Sequence, residues 1–313
     1  MKARVWMLVL VLLCLAGSVA SCGVIVCQVE YLRRPEPGVR VVLEPGGTVQ
    51  TTDAAGRCKF PGLAEGRYDV RATKMIRGVL HGAVADEVPV AAGAAVRAVT
   101  LGLTPAIELS RYLPFAVGYQ WQYRETIAEG GAVVTKTRRE KGVGTEVIGG
   151  DTTVVLAITH SPAGDERKEY VRTASDGHTR YREASAADTI NYVPPMHFDN
   201  LWPLGHTAKV ECTMHHDAGS PDQPLVMEGK FVAFENVTVP AGTFGNCARL
   251  EFTQRVGSQT RLMTLWLARN VGIVQTVERE PGKEYKRALE EYKVGPPVLT
   301  PLLPAPRPLT PAL

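Results

Sequence analysis

Apolar and polar residues alternate along much of the chain. Leu250 and Phe252 share one face of an extended stretch, and Arg249, Glu251 and Thr253 share the other. Val154, Leu156 and Ile158 repeat the pattern, as do Tyr68, Val70 and Ala72 against Arg67, Asp69 and Arg71. A period of two marks half-buried antiparallel strands. Between the alternating runs lie turn signals: Pro35-Glu36-Pro37-Gly38, Pro45-Gly46-Gly47 and Asp53-Ala54-Ala55-Gly56. Helical periodicity is scarce; Glu284 to Glu291 fits either a short helix or a closing strand. The pattern predicts an all-β chain: a small antiparallel β-sandwich over residues 22–104, then a larger antiparallel sheet over residues 105–294, with Thr104-Pro105 as the hinge.

The larger sheet contains a degenerate internal repeat, which predicts two similar meander halves. Leu113-Pro114-Phe115-x-x-Gly118 echoes Trp202-Pro203-Leu204-Gly205. Glu146-Val147-Ile148 followed by Thr153 to Ile158 echoes Glu235-Asn236-Val237 followed by Cys247 to Phe252. Tyr170-Val171-Arg172 with Gly177 echoes Trp266-Leu267-Ala268 with Gly272. The offsets drift from 87 to 89 to 95, as loop insertions would make them drift. A sheet of that many strands twists and curls, and one short helix cannot cover its apolar side. The uncovered side then closes on itself or forms a cleft, lined in part by Trp121, Trp202 or Trp266.

Both ends depart from this pattern. Lys2 and Arg4 precede an apolar run from Val5 to Ala16, the length of a signal-peptide core and too short to span a bilayer. Val19-Ala20-Ser21-Cys22 then resembles the lipobox of bacterial lipoproteins, in which the cysteine takes a diacylglycerol and becomes the acylated N-terminus. That resemblance implies a leader at 1–21, a membrane anchor at Cys22 and residence in the cell envelope, at the outer membrane facing the periplasm. Residues 295–313 carry seven prolines, which exclude helix and ladder alike and predict a disordered or polyproline tail.

Two further resemblances concern the body of the chain. Pro37-Gly38-Val39-x-Val41, Thr52-Asp53-Ala54-Ala55-Gly56-Arg57-x-x-Phe60 and Gly62-Leu63-x-x-Gly66-x-Tyr68-x-Val70 resemble the carboxypeptidase regulatory-like, transthyretin-like domains. Such domains are spacers or adhesion modules, which implies no catalysis here. Val237-Thr238-Val239-Pro240-Ala241-Gly242-Thr243-Phe244, with Trp266-Leu267-Ala268-x-x-Val271-Gly272-Ile273-Val274, resembles a family of bacterial envelope proteins of largely unknown function. It implies a curved sheet like the half-barrels of periplasmic lipoprotein carriers.

Charge and cysteines narrow the partners. Net charge is +3, and +1 once Lys2 and Arg4 leave with the leader, so there is no electrostatic footprint for nucleic acid. Removing Cys14 with the leader and acylating Cys22 leaves Cys27, Cys58, Cys212 and Cys247, an even set for an oxidising compartment. Their placement predicts bridges within each domain, Cys27 with Cys58 and Cys212 with Cys247. The chain has no G-x-S-x-G, H-E-x-x-H or Walker loop. Cys212-x-x-His215-His216-Asp217 offers metal-ligand chemistry, but adjacent histidines on a strand face opposite ways and no second ligand cluster has metal spacing. No metal, cofactor or catalytic residue is expected. The sequence therefore points to a lipid-anchored, non-enzymatic envelope module whose partner is an envelope protein or a lipid. The alternative is a carrier or sensor of an apolar ligand such as acyl chains.

Overall fold

A computed structural model describes residues 23–91, 93, 96–162 and 166–295. The leader, Cys22 and the proline-rich tail beyond Gly295 lie outside these residues. The chain divides into two compact units between Ala106 and Ile107.

The first unit holds β1 (Gly23–Tyr31), β2 (Arg34–Pro35), β3 (Arg40–Glu44), β4 (Thr48–Thr51), β5 (Arg57–Leu63), β6 (Gly66–Ile76), β7 (Val79–Val90), β8 (Val96–Gly102) and most of β9 (Thr104–Glu108). One sheet is centred on β1, which pairs with β2, β5 and β8; the other runs β9-β7-β6-β3-β4. Alternation places Ile25, Cys27 and Val29 of β1 at 0% exposure, in one core with Val41, Leu43, Val70 and Ala72 of the other sheet. The expected all-antiparallel sandwich is corrected here. β8 pairs with β1 in parallel, from Val24 opposite Val96 to Glu30 opposite Gly102. A parallel pair needs a long crossover, and β2 to β7 supply it. No local residue pattern announces a partner that distant.

The second unit opens with a four-residue helix, α1 (Leu109–Tyr112). Six strands follow: β10 (Gln120–Glu129), β11 (Ala132–Ile148), β12 (Asp151–Ser161), β13 (Arg167–Ala174), β14 (Gly177–Ser185) and β15 (Thr189–Asp199). A short β16 (Leu201–Pro203) leads to six more: β17 (Thr207–His216), β18 (Gln223–Val239), β19 (Gly242–Val256), β20 (Gln259–Ala268), β21 (Gly272–Glu280) and β22 (Lys283–Lys293). Apart from β16, these strands form a closed barrel of twelve, each paired with its neighbour, and β22 returns to β10. This closure overturns the expected open half-barrel. The seam runs from Gln120 opposite Lys293 to Glu129 opposite Lys283. It leaves the barrel no unpaired edge, the usual liability of a long sheet. The stretch Glu284 to Glu291 is thus the closing strand, not a helix.

Apart from Leu113 to Gly118 and Trp202 to Gly205, segments that echo one another in sequence fall on strands of equal rank in each set of six. Glu146-Val147-Ile148 and Glu235-Asn236-Val237 lie on β11 and β18, both 17 residues long. The next lie on β12 and β19 and on β13 and β20, and Gly177 and Gly272 begin β14 and β21.

Candidate ligand lumen

Strand direction fixes the two ends of the barrel. Hairpins at 129–132, 185–189, 216–223, 256–259 and 280–283 share one end; those at 148–151, 174–177, 239–242 and 268–272 share the other. Residues 109–119 close the second end. Leu109 N–H donates to Asn200 O at 2.8 Å, Ser110 N–H to Asn200 Oδ1 at 2.8 Å, and Asn270 N–H to Arg111 O at 2.6 Å. Further along, Gly118 N–H donates to Gly142 O at 2.8 Å. A Cβ on Gly142 would stand 2.1 Å from Ala116 O, so this close crossing requires glycine.

Above this plug the lumen holds a cavity of about 930 Å³. It extends from Leu113 and Phe115 of the plug to Ser258 and Pro281 at the opposite hairpins. Eight-stranded barrels are narrow enough for side chains to fill, and added strands open the interior. The outward rows of β17 to β19 carry Lys209, Glu211, Glu228, Lys230, Arg249 and Glu251. A membrane-spanning barrel needs an apolar band on that side.

The lumen has two unlike walls. One spans β15 to β20 and is apolar, with Phe198, Phe252, Leu250 and Leu265. All four methionines of the second unit, Met196, Met214, Met227 and Met263, line it as well. Unbranched thioether side chains re-pack around varied shapes. Phe198 and Phe252 meet edge to face at 5.6 Å, and Trp202 stands behind both at 5.9 Å. Gly229 makes room for this cluster: a Cβ there would lie 2.3 Å from the Phe252 ring and 2.8 Å from Trp202.

The other wall is charged and internally paired. Glu169, 6% exposed, meets Arg180 at 3.0 Å, Arg167 at 3.1 Å and Arg138 at 3.9 Å. Arg138 also reaches Glu140 at 2.7 Å, and Arg180 reaches Glu183 at 2.9 Å. Arg287 bridges Glu278 at 2.8 Å and Glu140 at 3.5 Å; Arg261 meets Glu278 at 3.5 Å and also pairs with Glu280. Tyr192 donates to Glu183 at 2.7 Å. Burial alone would raise the Glu169 carboxyl, but Arg180, Arg167 and Arg138 outweigh it and hold it down to about 2. Burial also pushes His178 down to about 3, helped by Arg180, so this lumen histidine is neutral.

The sequence-predicted residues fall elsewhere. None of the three tryptophans is among the cavity-lining residues. Trp121 and Trp202 are 2% and 0% exposed, and their indole N–H groups donate to Val271 O and Asp199 O. Trp266 alternates with the lumen-lining Leu265 and Leu267, so it points outward, where it donates to Glu235 at 2.8 Å. The expected tryptophan lining is corrected to phenylalanine and methionine. His215 and His216 engage different carboxylates, Asp222 and Asp188, each at 2.6 Å. Among the described residues, no three acidic, histidine or cysteine side chains gather as a metal site.

All four described cysteines are free thiols. Cys27 and Cys58 stand directly opposite on β1 and β5, and their thiols share a hydrogen bond. That bond and burial raise Cys27, whereas the same bond lowers Cys58. Cys212 and Cys247 are not brought together. They flank β18 on either side, opposite Leu225 and Glu235. Ten residues of strand separate those partners by roughly 30 Å, far beyond the ~7 Å Cα limit of a disulfide. The expected bridge between Cys212 and Cys247 is therefore excluded.

The second unit is thus a closed antiparallel meander barrel with one plugged end and an amphipathic lumen. The chain matches no protein-family model and no curated protein. Among solved structures it is similar to a "putative lipoprotein" from Parabacteroides distasonis, at 14% identity and a TM-score of 0.36. It is also similar to a "putative exported protein with YmcC-like fold" from Bacteroides fragilis, at 15% identity and a TM-score of 0.31. Each alignment covers 58% of this chain and 98% of the other. The resemblance of the first unit to carboxypeptidase regulatory-like domains gains no support from the family models.

Proposed function

We propose that this is a lipid-anchored, non-enzymatic protein of the bacterial cell envelope whose barrel holds the apolar chain of an amphipathic ligand, such as a lipid acyl chain. The observation that carries this reading is the lumen of about 930 Å³ with its methionine and phenylalanine wall. Its volume lies in the ~300–1,000 Å³ range of small-molecule sites. Each methylene moved from water onto that wall contributes about 0.8 kcal/mol. The lipobox at Val19 to Cys22 supports tethering at the outer membrane, on the periplasmic face, within reach of such ligands. An interaction or spacer role is the second reading, and it belongs to the first unit, whose two sheets close on a single core.

The test uses full-length chain carrying Cys22→Ala, secreted into its native envelope and purified without detergent. Native mass spectrometry should show an acyl-chain adduct near one per protein. Met263→Arg, on the lumen row of β20, should abolish the adduct, and Leu262→Arg, on the outward row, should keep it. A lipid-free parent protein, or equal adducts in both variants, overturns the reading.

A further inference from the structure

The charged wall carries information about the ligand's polar end. Five arginines and five glutamates line the cavity, and no lysine or aspartate does. Each arginine lies within ion-pair distance of at least one of those glutamates, so the set is neutral and self-paired. A ligand bearing net charge would bring an unmatched charge into this lumen or break an existing pair, and a buried unmatched charge is costly.

Two buried atoms of lumen-lining residues nevertheless lack partners among the described residues: Thr276 Oγ1 and Arg167 Nε. Thr276 is 1% exposed and sits at the seam of the two walls, opposite Leu265 on β20 and opposite Arg287 on β22. An unpartnered buried hydroxyl is an open hydrogen-bonding site. It can donate to a carbonyl or accept from a hydroxyl.

Resting on the acyl-chain reading, we infer that the lumen selects amphiphiles with an uncharged polar group, an ester, amide or hydroxyl, seated at Thr276. The chain lies along β15 to β20, and the polar group meets the seam where the apolar wall ends.

Binding of three probes with a common chain tests this on the full-length Cys22→Ala protein: 1-palmitoylglycerol, palmitate and hexadecylamine, each below its micellar concentration. 1-Palmitoylglycerol should bind about tenfold tighter than either charged probe, the equivalent of about 1.4 kcal/mol. Thr276→Val should weaken 1-palmitoylglycerol about fivefold, the scale of one hydrogen bond, and leave palmitate unchanged. Palmitate or hexadecylamine binding as tightly as 1-palmitoylglycerol overturns the inference while the acyl-chain reading stands. Unchanged 1-palmitoylglycerol affinity in Thr276→Val overturns the seat. Failure of all three probes to bind overturns both readings. If Thr276→Val does not fold, the three-probe comparison on the parent protein still decides.

Discussion

At the residue scale, the paired charges of the lumen wall are what acid should undo. Glu169 is shared by three arginines, so Glu169→Gln leaves the cluster of Arg138, Arg167 and Arg180 one negative charge short. Removing one partner of a buried ion pair costs about 3–5 kcal/mol. Its carboxyl is depressed from 4.5 to about 2 by folding, so its contribution is complete above 4.5 and is lost as pH falls toward 2. His178 adds to this from higher pH. It is depressed from 6.5 to about 3, so between those values the unfolded chain binds a proton that the folded chain refuses. Stability should therefore hold above 6.5, decline below it and fall more steeply below 4.5. Urea midpoints across that range check the profile. His178→Asn should flatten the upper limb, and a decline of equal size in that variant would contradict the assignment. These charges were hidden in the sequence. Arg138-Arg139-Glu140-Lys141 looks uniformly solvated, yet Arg138 and Glu140 are each 6% exposed and face inward. The lumen methionines were missed in the sequence, although Met214 and Met227 keep phase with Cys212 and Leu225.

At the element scale, strands were easier to read than their partners. The phase of β19 is that expected, with Leu250 2% exposed and lining the lumen, while Arg249 and Glu251 pair outside it. Period-two alternation arises from each strand's own geometry and needs no knowledge of neighbours. Pairing between β10 and β22, or between β1 and β8, joins segments distant in sequence and leaves no local signature. The cysteines show the consequence. Cys212 and Cys247 both read correctly as strand residues, but register along β18 parts them. Cys27 and Cys58 face each other across one rung. After oxidation, thiol counting by mass spectrometry should find Cys27 and Cys58 joined, with the loss of two hydrogen atoms to the oxidant and roughly 2–4 kcal/mol of added stability. Cys212 and Cys247 should react as separate buried thiols once the chain is unfolded. A fragment linking Cys212 to Cys247 would contradict the barrel register.

At the scale of the whole molecule, barrel closure turns a sheet that would need covering into a container. A twisted sheet of many strands with one apolar side was available from the sequence; its closure and the charged half of its inner face were not. The ring depends on β22 finding β10, which Tyr123 reinforces by donating to Ile273 O at 3.1 Å. Inside the ring, the plug and the methionine wall leave space that twelve strands of modest side chains do not fill. Tryptophan fluorescence distinguishes an acyl chain held in this space from one on the outer surface. Trp202 lies behind the lumen rings of Phe198 and Phe252, and Trp266 lies on the outward row. With the other tryptophans changed to phenylalanine, a chain brominated at mid-length should quench Trp202 strongly and spare Trp266. Quenching of Trp266 with Trp202 spared would place the chain outside the barrel and contradict the account.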